Sequence, residues 1–125
     1  MSLQDERRVR EIMSTPLETI SRNGTVSEAA EKMRTEEINA LVVTTGPPSI
    51  VTSTDILTAV AEERDTASMS VTEITTESVE TIPPTVQTSE AAAMMESLGI
   101  NHLPVREGGD FVGMVSSTDV AAALS

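Results

Sequence analysis

Ile50, Val51, Thr52, Ser53, Thr54 and Asp55 return later in the chain as Met114, Val115, Ser116, Ser117, Thr118 and Asp119. Each copy runs two apolar residues into a group of hydroxyls closed by a carboxylate, the pattern of a buried strand ending where a helix begins. Working outward from this pair, 9–60 lies over 71–124 with Gly109 and Asp110 as a two-residue insertion, and 21 of 52 aligned positions are identical. The matches fall in blocks: Glu18, Thr19 and Ile20 over Glu80, Thr81 and Ile82; Ser27, Glu28, Ala29 and Ala30 over Ser89, Glu90, Ala91 and Ala92; Ile38 and Asn39 over Ile100 and Asn101. A unit of about 60 residues is too small to bury its own apolar face well, so the two copies should pack on each other about a pseudo-two-fold axis. The chain thus divides into a tail at 1–8, a first repeat at 9–61, a polar joint at 62–70 and a second repeat at 71–125.

Within each repeat the local signals give one order of elements. Thr25 with Glu28 three residues on is a capping-box pattern, and Ala29, Ala30 and Met33 recur on one helical face through about Glu36. The apolar run 40–44 suits a buried strand, Gly46, Pro47 and Pro48 make a turn, and 50–52 is a second strand. Ser53 or Thr54 is expected to cap the next helix, with Ile56, Leu57, Val60 and Ala61 facing inward. The second repeat predicts a strand near 80–82, a helix over 89–98, strands at 102–106 and 111–115 about a turn at Gly108 and Gly109, and a helix over 118–124. The fold class is mixed α/β (α+β), with the order β-α-β-β-α twice.

Composition narrows the function. Phe111 is the only aromatic residue, and 20 acidic against 8 basic residues give a net charge of -12, so neither stacking platforms nor a basic face exists for nucleic acid. With no cysteine there are no disulfides, thiolate metal sites or cysteine nucleophiles. No apolar run approaches the roughly 20 residues of a membrane span, and a cytoplasmic protein is expected. Lys32 is the only lysine among the cations. Crowded carboxylates with little lysine fit a salt-accumulating cytoplasm of the haloarchaeal kind, where the screening length shrinks to about 3 Å.

Two copies of this order, each ending in a strand that runs into Thr/Ser-x-x-Asp at a helix start, resemble a tandem pair of CBS (cystathionine beta-synthase) domains, a Bateman module. The residues that carry the resemblance are Thr25, Val26, Ser27, Glu28 and Ala29; Gly99, Ile100, Asn101, His102, Leu103, Pro104 and Val105; and Gly113 through Asp119. The first copy departs from the family pattern at Ser49, in place of a usual glycine, at Val42, in place of a usual proline, and at Pro47 and Pro48, which shorten the turn.

From the residues alone, hydroxyls and N–H groups at the first turn of a helix can hold a phosphate or carboxylate, and a carboxylate in that turn suits the two hydroxyls of a ribose. The same residues also serve as plain helix caps, and both readings stand. The resemblance implies that Thr52, Ser53 and Asp55, with Ser116, Ser117 and Asp119, contact ribose and phosphate in clefts between the repeats. It implies further that main chain around Thr19 and Ile20, and around Thr81 and Ile82, flanks the base. It places His102 near ligand phosphates; the counterpart of His102 is Ala40. Asn101 either donates to the ligand or holds a turn.

A polyphosphate would need cations, and the suppliers are few: Arg22, Lys32, Arg34, Arg106 and His102. AMP or S-adenosylmethionine therefore fits better than ATP. Asp55 and Asp119 are equivalent and face related clefts, so no catalytic acid–base pair, no metal and no required cofactor is expected. The leading reading is a stand-alone regulatory pair, homodimeric through its helices, that binds an adenosyl ligand and signals by conformational or dimer change. The rival is a ligand-free dimerisation or protein-interaction module with vestigial clefts. Contact stripes for a dimer are sought in Ala91, Met94, Met95 and Leu98 and in Val120, Ala121 and Leu124.

Overall fold

The structure is a computed structural model that describes residues 7–44, 48–75 and 80–124. The described residues form two compact units, one running from Glu18 to residue 75, the other joining the residues up to Leu17 with those from Glu80 on.

The contiguous unit opens with β1 (Thr19–Ser21) and α1 (Val26–Glu36), continues through β2 (Ala40–Thr44) and β3 (Ser49–Thr52), and ends in α2 (Ser53–Ala61) and a 3-10 turn, Val71–Glu73. β1 pairs parallel with β2 at Thr19↔Val42, and β3 pairs antiparallel with β2 at Ala40↔Thr52. The expected capping box forms. Thr25 Oγ1 accepts from the Glu28 N–H at 3.0 Å, and Glu28 Oε1 accepts from the Thr25 N–H at 2.8 Å. Ala29 and Met33 of α1 then close over Leu41, Val43 and Val51, whose period of two puts them on one sheet face. The turn expected at Gly46 and Pro47 lies outside the described residues.

α2 departs from its sequence reading in two ways. Its cap is Thr52 rather than Ser53 or Thr54, because only from Thr52 does an acid, Asp55, fall at the third helical position and complete a reciprocal box. Its inward face is Ala59 with half-buried Ile56, while Leu57 (67%) and Val60 (55%) are exposed along with Ala61. Residues 56 and 59 form one stripe, and 57, 60 and 61 form another about 100° round the helix. A nine-residue helix over a small sheet buries only the first.

The second unit carries α3 (Thr88–Leu98), β4 (His102–Glu107), β5 (Asp110–Ser116) and α4 (Ser117–Leu124). The β4–β5 hairpin turns at Gly108 and Gly109, both at positive φ (60° and 94°), a conformation that glycine adopts without strain. The strand expected near 80–82 contracts to one parallel bridge, Ile82↔Val105. Pro83 and Pro84 follow it, and neither has an N–H to extend a ladder. Of the proposed contact stripes, Ala91, Met95 and Val120 are core, whereas Leu98 (48%) and Leu124 (51%) are exposed.

Each unit is closed by the opening turn of the other repeat. Val9, wholly buried in a 3-10 turn (Val9–Glu11), joins Leu103, Val105 and Val115, and its N–H donates to Val86 O at 2.8 Å. Val71 enters the core of the contiguous unit in the same manner, its N–H donating to Gly24 O at 3.0 Å. The stretch 62–70, read as a joint, is bonded into the contiguous unit. The Val26 N–H donates to Met69 O at 2.9 Å, and Ser70 Oγ donates to Arg22 O at 2.9 Å.

Candidate ligand site

The repeated Thr/Ser-x-x-Asp loops are reciprocal caps in both units. Asp55 Oδ2 accepts from the Thr52 N–H at 2.8 Å and from Thr52 Oγ1 at 3.0 Å, and the Asp55 N–H donates back to Thr52 Oγ1 at 3.3 Å. Asp119 Oδ2 accepts from the Ser116 N–H at 2.9 Å, and the Asp119 N–H donates to Ser116 Oγ at 3.1 Å. In each case the cap engages one carboxylate oxygen. The other, Oδ1, takes no hydrogen bond from the described residues. Capping and ligand contact are therefore compatible: one oxygen sets the helix start and the other is offered outward, with half-buried Ser53 beside Asp55 and exposed Ser117 beside Asp119.

The preceding strand fixes each loop. The Ser53 N–H donates to Asn39 O and the Ser117 N–H to Asn101 O, both at 2.9 Å. Asn101 thus serves the loop through its main chain, and its side chain is exposed. The strand registers Ala40↔Thr52 and His102↔Ser116 place one side chain directly opposite each cap, a methyl in one unit and an imidazole in the other. His102 is half-buried, and burial pushes its pKa below the ordinary 6.5 while the nearby Asp119 carboxylate pulls it back up.

The residues expected to flank a base stand apart from these loops within their own units. Thr19 and Ile20 pair with Val42 and Val43, on the opposite edge of β2 from β3. Ile82 pairs with Val105, on the opposite edge of β4 from β5, and its side chain is core. Its main chain is fully engaged, the N–H donating to Pro104 O at 3.1 Å and the carbonyl accepting from the Arg106 N–H at 2.9 Å. Thr81 beside it is half-buried. Thr19 O accepts from Lys32 Nζ at 2.6 Å, and Lys32 also pairs with Glu18 at 3.5 Å.

One neighbour of the Asp119 loop escaped the sequence reading. Ser14 exchanges backbone hydrogen bonds with Met114, two residues before Ser116, at 2.8 and 3.0 Å. A Cβ on Gly113 would stand 2.6 Å from Met13 Sδ and 2.9 Å from Ser14 O. The signal was present in the sequence: glycine stands here where the first repeat has Ser49.

Comparison with known proteins agrees with this architecture. The chain belongs to the CBS-domain family, whose model, the CBS domain, matches residues 9–62 and again 71–125, so the protein is a tandem CBS pair. The CBS domain-containing protein YhcV of Bacillus subtilis is 30% identical over 116 residues, covering 90% of this chain and 82% of that one. Among solved structures, the CBS domain pair of protein MJ0100 in complex with 5′-methylthioadenosine and S-adenosyl-L-methionine superimposes with a TM-score of 0.84 at 27% identity, covering 95% of this chain and 96% of that one. The hexameric CBS-CP12 protein from bloom-forming cyanobacteria gives a TM-score of 0.89 at 27% identity, over 94% of this chain and 71% of that one.

Proposed function

We propose that this CBS pair is a regulatory module that takes an adenosyl compound at the helix starts headed by Thr52, Ser53 and Asp55 and by Ser116, Ser117 and Asp119, and that signals by a change of conformation or of dimer. The observation that carries the reading is the divided carboxylate, with Oδ2 capping and Oδ1 left for a sugar diol, repeated in both units. Asn101 and His102 adjoin the second site, and the main chain at Thr19, Ile20, Thr81 and Ile82 is the proposed wall for the base. The adenosyl ligands held by MJ0100 support the ligand class.

Ligands with one phosphate or none, AMP or S-adenosylmethionine, are favoured over ATP. Three of the five possible cationic partners are already engaged: Lys32 with Glu18, Arg34 with Glu31, and Arg106 over the Phe111 ring at 4.7 Å. We assign the protein no catalysis of its own, because Asp55 and Asp119 occupy equivalent places and do not form an acid and a base for one substrate. Its proposed setting is a salt-rich cytoplasm; no helix among the described residues is long and apolar enough to cross a membrane.

Thermal unfolding and calorimetric titration in molar salt test this reading. A ligand at 100 times its Kd should add about 2.7 kcal/mol of stability, and Asp55→Ala and Asp119→Ala should each remove one site. ATP binding tightest would overturn the charge argument. No response to any adenosyl compound would favour a ligand-free association module, a reading for which exposed Leu57, Val60, Leu98 and Leu124 speak.

A further inference from the structure

We propose that His102 makes the Ser116–Asp119 site proton-dependent, open to a sugar diol at neutral pH and closed in acid, whereas the Thr52–Asp55 site, with Ala40 in the same place, takes its ligand independently of pH. This inference rests on the reading of the two helix starts as adenosyl sites and assigns them different regulation.

Four observations converge on His102. It is the only histidine in the chain. It is the cross-strand partner of Ser116, the residue that forms the reciprocal cap with Asp119. It is half-buried, and its imidazole makes no hydrogen bond to any described residue. Through Ser116 it stands beside the cap that Asp119 closes, and the Asp119 charge favours its protonated form. The neighbouring elements also carry Glu90 and Glu96 on α3, Arg106 and Glu107 at the far end of β4, and Asp110 on β5; the Asp119 carboxylate on α4 is the charge that opposes the effect of burial on the imidazole.

Asp119 has one oxygen committed to the Ser116 N–H and one, Oδ1, with no donor among the described residues. A neutral imidazole has a single N–H and no charge to draw the carboxylate. A protonated imidazole is a charged donor on both nitrogens, and a charge-assisted bond to Oδ1 outcompetes the neutral hydroxyls of a ribose. Protonation therefore fills the acceptor that the ligand needs. In the contiguous unit the methyl of Ala40 has no proton to give, so no donor at this position competes for Asp55 Oδ1. Burial keeps the imidazole neutral at neutral pH, which sets the change below the ordinary histidine range.

The test uses 5′-methylthioadenosine, which carries no phosphate, titrated into Asp55→Ala, Asp119→Ala and Asp55→Ala/His102→Ala proteins at pH 7.5 and 5.5. The site left in Asp55→Ala should weaken roughly threefold to tenfold in acid, as the competent fraction falls. The site left in Asp119→Ala should hold the same Kd at both pH values, and adding His102→Ala to Asp55→Ala should bring the ratio of its two constants to one. In the unmodified protein the Ser116 amide resonance should follow the titration of the single imidazole. Equal weakening of both sites, a ratio that survives removal of His102, or a Ser116 amide indifferent to that titration would each overturn the inference while leaving the adenosyl reading in place. Failure to bind at either pH would overturn both.

Discussion

Glu37 and Gly99 close α1 and α3 at the same point of the repeat, and both adopt the left-handed conformation, at φ 57° and 66°. Glycine does so without steric cost, whereas a glutamate carries the Cβ penalty and also sets a carboxylate at the negative end of the helix dipole. Glu37→Gly should therefore raise stability by about 0.5–1 kcal/mol in urea titration, the gain reduced by the greater freedom of glycine in the unfolded chain. A loss of stability would mean that Glu37 makes a contact worth more than its strain. His102 and Ala40 likewise occupy one point of the repeat and differ by an imidazole.

At the scale of elements, the approach of Met13 and Ser14 to β5 requires a glycine at 113. The nearest obstacle, Met13 Sδ, can swing aside, but Ser14 O at 2.9 Å is backbone and cannot. Gly113→Ala should push the Ser14–Met114 pairing apart and cost about 1–3 kcal/mol, read as lost hydrogen-exchange protection at Ser14 and Met114 with protection of α1 unchanged. Helices and hairpin were legible in the sequence because their signals are local: Thr25 with Glu28, Gly108 with Gly109, and the apolar runs at 40–44 and 111–115; the Thr/Ser-x-x-Asp loops were legible as helix starts, but the cap of α2 falls on Thr52, ahead of the Ser53 or Thr54 that the sequence suggested. What eluded it depends on partners distant along the chain. Leu57 and Val60 carry a helical apolar pattern identical in kind to that of buried residues, and nothing local records that the sheet beneath α2 is too narrow to cover them. The site was legible as residue types and as a pair of loops. That Thr19 and Thr52, the cap partner of Asp55, lie along opposite edges of β2 follows from strand order, which composition does not encode.

For the whole molecule, the net charge of -12 has a local form. Glu36 and Glu37 end α1, and Glu62 and Glu63 follow α2, where the helix dipole favours cations. Screening should relieve that repulsion, so Tm should climb as KCl is raised from 0.1 M toward molar concentrations, and a Tm that is flat or falling would remove the case for a salt-rich setting. The exposed stripe of Leu57 and Val60 bears on assembly. If the proposed homodimer uses α2, Leu57→Glu with Val60→Glu should yield monomers by sedimentation while the fold persists, since neither side chain is in the core.

The burial of Val9 beside Val115 and Val120 sets an order of events on the ribosome. The contiguous unit, from Glu18 through Ile74, holds every described member of its own core and needs no later residue to complete it. Val115 and Val120 follow Val9 by about 100 residues, some five to twenty seconds at translation rates of ~5–20 residues per second. Through that interval the turn that carries Val9 waits for β5 and α4.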